Sequence, residues 1–240
     1  CHGALCMAVS GKCYLSLDNF NTSANRGACV QTCRRAYTVQ DRDKEITLDI
    51  ENEYIMSPKD LCTLPFLDKL LDAGVKILKI EGRGRSPEYT KVTVGVYKEA
   101  VDAIINGTFT EDRIIEWTER LRSVYNRGFW DGYYLGRKIG EWTERYGSQA
   151  TKTKLFVGTV TNFFGKINVA EIRMETQDLN IGDNIMIIGP TTGVYEDQIS
   201  EIRVDLKSVN ASVKGELCSI PTKDIVRRGD KVYKVIDSES

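Results

Sequence analysis

The sequence of 240 residues has little histidine and proline, with one histidine, His2, and five prolines. A single histidine excludes zinc sites that need two, including the H-E-x-x-H helix of metallopeptidases. No apolar run approaches the roughly 18 residues of a transmembrane helix, so no membrane partner is expected. Lysine and arginine total 33 and aspartate and glutamate 34. This balance does not indicate a globally basic nucleic-acid-binding protein, although it is compatible with a local basic patch.

Cysteine is the residue type that stands out. Five of the seven cysteines fall within the first 33 residues, and no two form a C-x-x-C pair. The informative ones are Cys6, Cys13, Cys29, Cys33 and Cys62. We find no secretion signal, so clustered thiols favour metal or redox ligands in a cytoplasmic protein over disulfides. Ligation by thiolates alone suits zinc or an iron–sulfur cluster, and four ligands would leave one of the five unused.

The alternative is that these cysteines are small buried hydrophobic residues. Their setting argues against it, because the segment is polar and contains Gly3, Gly11 and Gly27. Glycines let backbone amides approach cluster sulfides. Cys218, by contrast, lies within a β-type run and is predicted to be a core residue, and Cys1 fits either interpretation.

The first part of the chain has the pattern of an α/β domain. A helix is predicted from Ser57-Pro58 to Leu71, then a buried parallel strand over 75–80, a second helix over 87–105 and a third that begins after Thr110. The apolar stripe of the second helix comprises Val94, Tyr97, Val101, Ile104 and Ile105, and that of the third Ile114, Trp117, Leu121 and Val124. The aromatic, glycine-rich segment 126–147 has no predicted regular element.

The pattern changes between residues 148 and 153. From there to the end, short β-type runs alternate with turns, which indicates a small sandwich or barrel. The predicted domains are therefore 1–150 and 151–240. The runs are 155–161, 167–172, 184–189, 201–206, 208–213, 216–220 and 231–236.

Basic residues accumulate near the cysteines and in the loop after the predicted strand. Arginine presents a planar set of donors that suits carboxylate or phosphate. The candidate substrate-binding residues are Arg26, Arg34, Arg35, Lys59 and Arg83. Lys79 and Glu81 end the strand, at the edge where a β/α barrel carries its active site, and are candidate catalytic residues. His2 is a candidate for orienting substrate or carrying a proton, with a structural hydrogen bond as the alternative.

Several motifs together resemble the collagenase-like peptidases, unassigned peptidase family thirty-two. They are His2-Gly3-Ala4-Leu5-Cys6, Ser10–Cys13, Asn25–Arg35, Met56–Cys62 and Lys79–Arg83. Residues 155–235 resemble the small β-barrel of the longer family members. The resemblance implies the C-terminal portion of a TIM-like β/α barrel, followed by a small β-barrel.

The resemblance also implies chemistry. The better-understood members are similar to oxygen-independent hydroxylases that hold a [4Fe–4S] cluster through four cysteines. Matched by position, the implied ligands are Cys6, Cys13, Cys29 and Cys62, with Cys33 as the alternative fourth ligand. The length of the tail resembles the tRNA hydroxylation proteins. These imply formation of 5-hydroxyuridine at the wobble position of tRNA, with prephenate, a small dicarboxylate, as co-substrate.

Two other functions stay open at this point. One is a peptidase, for which a pair of His2 and Cys6 would be unusual because the two lie so close in sequence. The other is an RNA-binding module in which the cluster is structural. Exposed aromatic residues such as Trp130, Tyr133 and Tyr134 could stack on an unpaired base, or could simply pack within the protein.

Overall fold

The computed structural model describes residues 1–6, 13–22, 26, 28–40, 47–48, 54–136 and 141–238. The chain divides into two compact units. The first contains Cys1–Arg85 and Val92–Ala150, and the second contains Ser86–Lys91 and Thr151–Ser240. Among the described helices, none combines the length and apolar character needed to cross a membrane.

The first unit packs helices with a small mixed sheet. Its strands are β1 (His2–Gly3), β2 (Val39–Gln40), β3 (Thr47–Leu48), β4 (Asp60–Cys62) and β5 (Phe129–Trp130). Its helices are α1 (Tyr14–Phe20), α2 (Leu67–Asp72), α3 (Pro87–Ile105) and α4 (Glu111–Arg122), and short 3-10 helices span Thr32–Arg34 and Leu64–Phe66.

The sheet of the first unit has the order β1-β4-β5. Strand β1 is antiparallel to β4, and β5 is parallel to it. A separate antiparallel pair joins β2 and β3. These described strands establish a mixed α/β unit, whereas the β/α barrel implied by the resemblance stays a prediction.

The helix predicted from Ser57-Pro58 to Leu71 is wrong in its first half. Residues 60–62 are strand β4, because their backbone groups bond to other segments: the Asp60 amide donates to the Gly128 carbonyl at 2.9 Å, and Leu61 and Cys62 pair with β1. Helix α2 begins only at Leu67. Tertiary pairing has overridden the helical signal of Pro58.

The buried strand predicted over 75–80 is also wrong. Ile77 is 86 % exposed, and of the residues 75–80 only Ile80 forms a parallel bridge, to His2. The Glu81 amide continues this contact by donating to the His2 carbonyl at 2.8 Å. One end of the segment therefore adds to the sheet, beside β1.

Helix α3 has the predicted bounds, and its buried face agrees with the prediction in part. Tyr97 is buried as expected, and Val101 and Ile104 pack against the core, whereas Val94 and Ile105 are 48 % and 75 % exposed. The core side also contains small residues, among them Val96, Ala100 and Ala103. Such small side chains allow neighbouring elements to approach the helix closely.

Helix α4 follows the sequence prediction closely. Ile114, Trp117 and Leu121 are buried on it, and Val124 is buried just beyond its end. Thr110 occupies the N-cap position with extended backbone. Glu111 and Asp112 place negative charge at the positive end of the helix dipole.

The second unit is built on an eight-stranded antiparallel sheet with the order β10-β9-β15-β6-β7-β14-β11-β12. The predicted β-type runs correspond to strands in it or in the small β8-β13 pair, while β10 was not predicted. The strands are β6 (Lys152–Phe164), β7 (Val169–Met174), β8 (Leu179–Asn180), β9 (Asn184–Gly189), β10 (Gly193–Gln198), β11 (Ile202–Val204), β12 (Lys207–Val209), β13 (Ala211–Ser212), β14 (Leu217–Pro221) and β15 (Lys231–Asp237).

The sheet of the second unit curls around a single core. Tyr195 on β10 and Ile202 on β11 come from opposite halves of the sheet, yet both belong to one buried cluster. Cys218 is fully buried in this cluster, as predicted. The arrangement resembles a small β-barrel, although β10 and β12 remain the two ends of its hydrogen-bonded order.

Gly158 is a position where the second unit requires glycine. A Cβ added there would lie 2.0 Å from the Arg173 carbonyl oxygen on the neighbouring strand. We expect Gly158→Ala to lower the free energy of unfolding by about 1–3 kcal/mol, because β6 and β7 must separate locally. Urea denaturation followed by circular dichroism measures this change.

Gly165→Ala is the matched control, since its added Cβ would meet only the Phe163 ring, at 3.7 Å. It should change stability by less than about 1 kcal/mol. Equal effects of the two substitutions would contradict the close strand approach at Gly158.

Candidate functional site

The cysteines of the first unit lie on short, separate segments. Cys6 follows β1, Cys13 occupies the N-cap position of α1, and Cys33 lies in the 3-10 helix Thr32–Arg34. Cys6 and Cys29 are exposed, and Cys13 and Cys33 are half-buried. All are free thiols. Gly11 and Gly27, noted for their closeness to the cysteines, lie outside the described residues.

Three of these thiols influence the fourth, Cys33, electrostatically. Burial raises the pKa of the Cys33 thiol, the Arg34 guanidinium opposes this, and the charges of Cys29, Cys6 and Cys13 raise that pKa further. Hydrogen bonds from the side chain and backbone of Ser16 lower the pKa of Cys13. The electrostatic surroundings of Cys33 therefore include Cys6, Cys13 and Cys29.

The thiols are not arranged in a finished ligand shell. Within the part of the chain that the structure describes, no three histidine, cysteine, aspartate or glutamate side chains lie close enough together to hold a metal ion. What the fold supplies is a neighbourhood of soft ligands on short segments, and binding would have to draw them together.

Cys62 has different surroundings. It is buried on β4 directly opposite His2 on β1, and its Sγ lies 3.9 Å from the Tyr97 hydroxyl. Burial raises the pKa of Cys62 to about 11, so the thiol is protonated at neutral pH. The electrostatic neighbours of Cys33 do not include it. Ligation by Cys62 and by the alternative, Cys33, both stay predictions.

His2 is an interior residue, 3 % exposed. Its Nδ1 lies 3.3 Å from the Tyr97 hydroxyl, and its ring packs 5.4 Å from both the Tyr97 and Phe129 ring centroids. Burial lowers the pKa of His2 to about 3, with nearby positive charge, including that of Arg85, acting in the same direction. A neutral, enclosed imidazole fits the structural hydrogen bond better than the proton-carrying role.

Arg34 connects the cysteine segments to the sheet. Its guanidinium donates to the Leu5 carbonyl at 2.6 Å, to the Pro58 carbonyl at 2.6 Å and to the Ser57 hydroxyl at 3.2 Å. Leu5 immediately precedes Cys6, and Pro58 lies two residues before β4. The side chain is buried and its contacts anchor these segments, while the substrate-binding role of Arg34 stays a prediction.

A buried ionic network stands beside this anchor. Asp60, 1 % exposed, pairs with Arg85 at 3.0 Å and with Arg127 at 3.4 Å. Both guanidinium groups also lie near the Tyr125 ring centroid, Arg85 at 4.0 Å and Arg127 at 5.2 Å. Arg127 also donates to the Gln31 side chain at 3.3 Å. The network thereby holds the segment before Cys33 against β4.

Sequence reasoning missed the partners in this network. Asp60 and Arg127 are 67 residues apart, and no local pattern relates them. Tyr97 was assigned only to an apolar stripe, although its hydroxyl contacts His2, Cys62 and the Thr63 amide. The contacts of the Tyr97 hydroxyl with Cys62 of β4 and with Thr63 become visible only in the folded structure.

The other predicted site residues lie on several segments of the first unit. Lys59 pairs with Glu141 at 3.0 Å, and Glu81 accepts a hydrogen bond from the Arg83 amide at 2.8 Å. Lys79 is exposed. Arg26, Arg35 and Arg83 have exposed side chains as well, and Arg35 lies 6.0 Å from the Phe20 ring centroid. Their substrate-binding and catalytic roles stay predictions.

Comparison with known proteins identifies the family. The model of peptidase family U32 matches residues 1–144. The chain is 57 % identical over 233 residues to a protein named collagenase from Porphyromonas gingivalis, covering 97 % of this chain and 56 % of that protein. It is 33 % identical over 208 residues to tRNA hydroxylation protein P1 of Bacillus subtilis, covering 84 % of this chain and 48 % of that protein.

A third relative is named for a modification of ribosomal RNA. The 23S rRNA 5-hydroxycytidine C2501 synthase of Escherichia coli is 38 % identical over 146 residues, covering 57 % of this chain and 22 % of that protein. The chain belongs to peptidase family U32, which confirms the resemblance. It spans about half the length of the first two relatives, so the activity of the whole protein remains to be inferred.

The buried position of Asp60 leads to a stability prediction. Asp60→Asn would leave Arg85 and Arg127 buried without their shared carboxylate, and we expect a loss of about 3–5 kcal/mol in the free energy of unfolding. Urea denaturation of the variant and the unaltered protein measures the difference.

Asp102→Asn provides the matched control. Asp102 pairs with Lys98 one helical turn away on the exposed side of α3, at 3.2 Å. Its loss should cost only about 0.3–0.5 kcal/mol. A similarly small cost for Asp60→Asn would show that the buried network does not support the fold.

Proposed function

We propose that the protein is an iron–sulfur-dependent RNA hydroxylase that forms 5-hydroxyuridine at the wobble position of tRNA. The observation that carries the proposal is the similarity to relatives named for tRNA hydroxylation and for rRNA hydroxycytidine synthesis. The presence of Cys6, Cys13 and Cys29 among the electrostatic neighbours of Cys33 supports a centre held by thiolates.

The donor set suits a [4Fe–4S] cluster. Thiolates are the usual ligands of such clusters, and these four lie on short segments that binding could close around the metal. The cluster would supply one-electron chemistry for hydroxylation without molecular oxygen. Arg34, held by the Leu5 and Pro58 carbonyls, keeps two of the ligand segments next to the sheet.

RNA and a dicarboxylate would be bound by exposed side chains of the first unit. Arg26, Arg35 and Arg83 offer guanidinium groups for phosphate or for the carboxylates of prephenate. Tyr133 and Tyr134 have exposed rings that could stack on an unpaired base. An anticodon loop presents such a base without prior unstacking of a duplex.

Iron binding separates the two candidate fourth ligands. The whole protein and its variants would be reconstituted without oxygen, using ferrous iron and sulfide. Because Cys33 has the other thiols among its electrostatic neighbours and Cys62 is enclosed beside Tyr97, we expect Cys33→Ala to lower bound iron and sulfide severalfold and Cys62→Ala to leave them near the unaltered level. Chemical assay of iron and sulfide, with absorbance near roughly 400 nm, is the measurement.

Cys218→Ala, in the core of the second unit, controls for the loss of a cysteine elsewhere. The reverse result, with iron lost in Cys62→Ala and kept in Cys33→Ala, would restore Cys62 as the ligand. Failure of the unaltered protein to bind iron would overturn the proposed cofactor.

Nucleoside analysis tests the reaction itself. A strain lacking the gene should lose 5-hydroxyuridine from its digested tRNA, because the proposed reaction forms that nucleoside. Restoring the intact gene should return the nucleoside, and a Cys33→Ala gene should not. An unchanged nucleoside profile in the deletion strain would reject tRNA hydroxylation. Binding of tRNA and iron without any change in nucleosides would instead favour an RNA-binding module with a structural cluster.

A peptidase is the second candidate, because the 57 %-identical relative is named collagenase. The geometry gives it little support. The chain has one histidine, which is buried and neutral, and the cysteine opposite it is protonated. A cysteine peptidase needs a thiolate paired with an accessible base. Gelatin cleavage by the whole protein that survives iron removal but not Cys6→Ala would establish the peptidase.

A further inference from the structure

Arg34 is a buried cation beside a carboxylate that other arginines already use. It is 7 % exposed, and the neighbouring Asp60 is 1 % exposed. Asp60 pairs with Arg85 at 3.0 Å and with Arg127 at 3.4 Å. Among the residues that the structure describes, no carboxylate lies within ion-pair distance of Arg34. Burial of such a charge is costly unless an anion balances it.

The hydrogen bonds of Arg34 do not supply this negative charge. Its Nη1 donates to the Pro58 carbonyl and the Ser57 hydroxyl, and its Nη2 donates to the Leu5 carbonyl, so all three acceptors are uncharged. Its Nε donates to no residue that the structure describes. The guanidinium therefore keeps its charge and part of its donor capacity for a further acceptor.

Arg34 and Arg127 contact the same two segments of the first unit. Arg127 pairs with Asp60 on β4 and donates to the Gln31 side-chain oxygen at 3.3 Å. Arg34 follows Gln31 by three residues, and its amide donates to the Gln31 carbonyl at 2.9 Å. Its guanidinium reaches the Pro58 carbonyl, two residues before Asp60. Two guanidinium groups are thus held next to Gln31 and to the start of β4.

The neighbouring arginines raise the cost of the charge on Arg34. Burial lowers the pKa of Arg34, and the charges of Arg127 and Arg85 lower it further, while those of Cys33 and Asp60 oppose them. An anion close to Arg34 would therefore be attracted by several positive charges at once. The attraction would be strong because buried charges are weakly screened by water.

Gln31 lies at the solvent side of these arginines. It is exposed, and its backbone φ of 53° lies in the left-handed region, which a residue other than glycine adopts at an energetic cost. Its side-chain oxygen at Arg127 is uncharged, whereas a charged oxygen at this place would bind a guanidinium more strongly. The strained, exposed Gln31 marks the side from which an anion would reach the arginines.

We propose that Arg34, Arg127 and Gln31 form a binding site for a small oxyanion, a carboxylate or a phosphate, whose negative charge balances that of Arg34. The ligand is small because the two guanidinium groups are buried, and a phosphate within an RNA chain would have to carry its neighbouring nucleotides into the interior. Oxyanion binding does not require the cofactor. Its identification with one carboxylate of the dicarboxylate co-substrate rests on the proposed function, and the exposed arginines of the first unit remain for the second carboxylate or for RNA.

The test is anion binding by the whole, iron-free protein, measured by isothermal titration calorimetry at constant ionic strength with chloride as the background anion. Malonate represents a carboxylate, inorganic phosphate a phosphate and a short oligouridylate the RNA backbone. We expect malonate or phosphate to bind, the tighter of the two identifying the source of the oxyanion, and Arg34→Gln to weaken this binding by about tenfold. Arg113→Gln is the control and should bind like the unaltered protein, since Arg113 lies on α4 and donates to Thr108.

Gln31→Glu tests the site without removal of an arginine, and it decides if Arg34→Gln does not fold. The new carboxylate would replace an amide oxygen that already contacts Arg127, so it should occupy the site itself. We expect it to weaken binding of the small anion by about tenfold. It should also raise the midpoint of thermal unfolding by about 2–4 °C, because it balances buried positive charge. Gln177→Glu, an exposed position before β8, adds the same charge in the second unit and should change neither quantity.

Several results would overturn the proposal. One is that neither small anion binds to the folded, unaltered protein, and another is that Arg34→Gln and Gln31→Glu bind the anion as tightly as the unaltered protein does. Binding of the oligouridylate alone would assign the arginines to RNA instead. Since these measurements need no iron, they can fail while the proposed function stands. Failed iron reconstitution or an unchanged nucleoside profile would conversely reject the proposed function and leave the oxyanion site in place.

Discussion

The buried carboxylate of Asp60 is the constraint on which the first unit depends. It draws Arg85, at the start of α3, and Arg127, ahead of β5, to the same strand. Two guanidinium groups and the Tyr125 ring are thereby fixed in the interior. Since the cost of burying these charges is offset only by close pairing, the segments that carry them have little freedom to move apart.

The same strand also organises the cysteine side of the unit. Arg127 reaches Gln31, and Arg34 reaches Pro58 and Ser57, so the segment 31–34 is attached to β4 and the residues before it from two directions. His2, Tyr97 and Cys62 form the enclosed, uncharged counterpart across β1 and β4. The two thiols therefore have different surroundings. Cys33 lies in a polar neighbourhood, whereas Cys62 lies in a neutral interior.

Local patterns in the sequence predicted much of this fold, and the failures have a common cause. Helices α3 and α4 and most strands of the second unit follow from apolar periodicity and turn residues. Strand β4 was not predicted, because a segment of three residues is too short to show a periodic pattern. Its conformation depends on pairing with β1 and β5. Strand β10 contains Glu196, Asp197 and Gln198 among its six residues, so its sequence reads as a polar loop.

The site was predictable to the extent that its residues are close in sequence. The cysteine cluster and the adjoining arginines were visible because they crowd into one segment. The different surroundings of Cys33 and Cys62 were not, because they depend on which thiol is buried beside Tyr97. The role of Arg34 likewise depended on three acceptors from distant or unrelated positions, which only the folded chain brings together.

The order of strands in the second unit has a consequence for how it is made. Strand β15 (Lys231–Asp237) lies in the interior of the sheet, between β9 and β6. A ribosome delivers β9 and β6 long before β15, so their facing edges stay unpaired until residue 237 has left the exit tunnel. Synthesis that stops before β15 would leave the facing edges of two apolar strands unpaired at once. Incomplete chains would therefore be prone to aggregation and would bind chaperones.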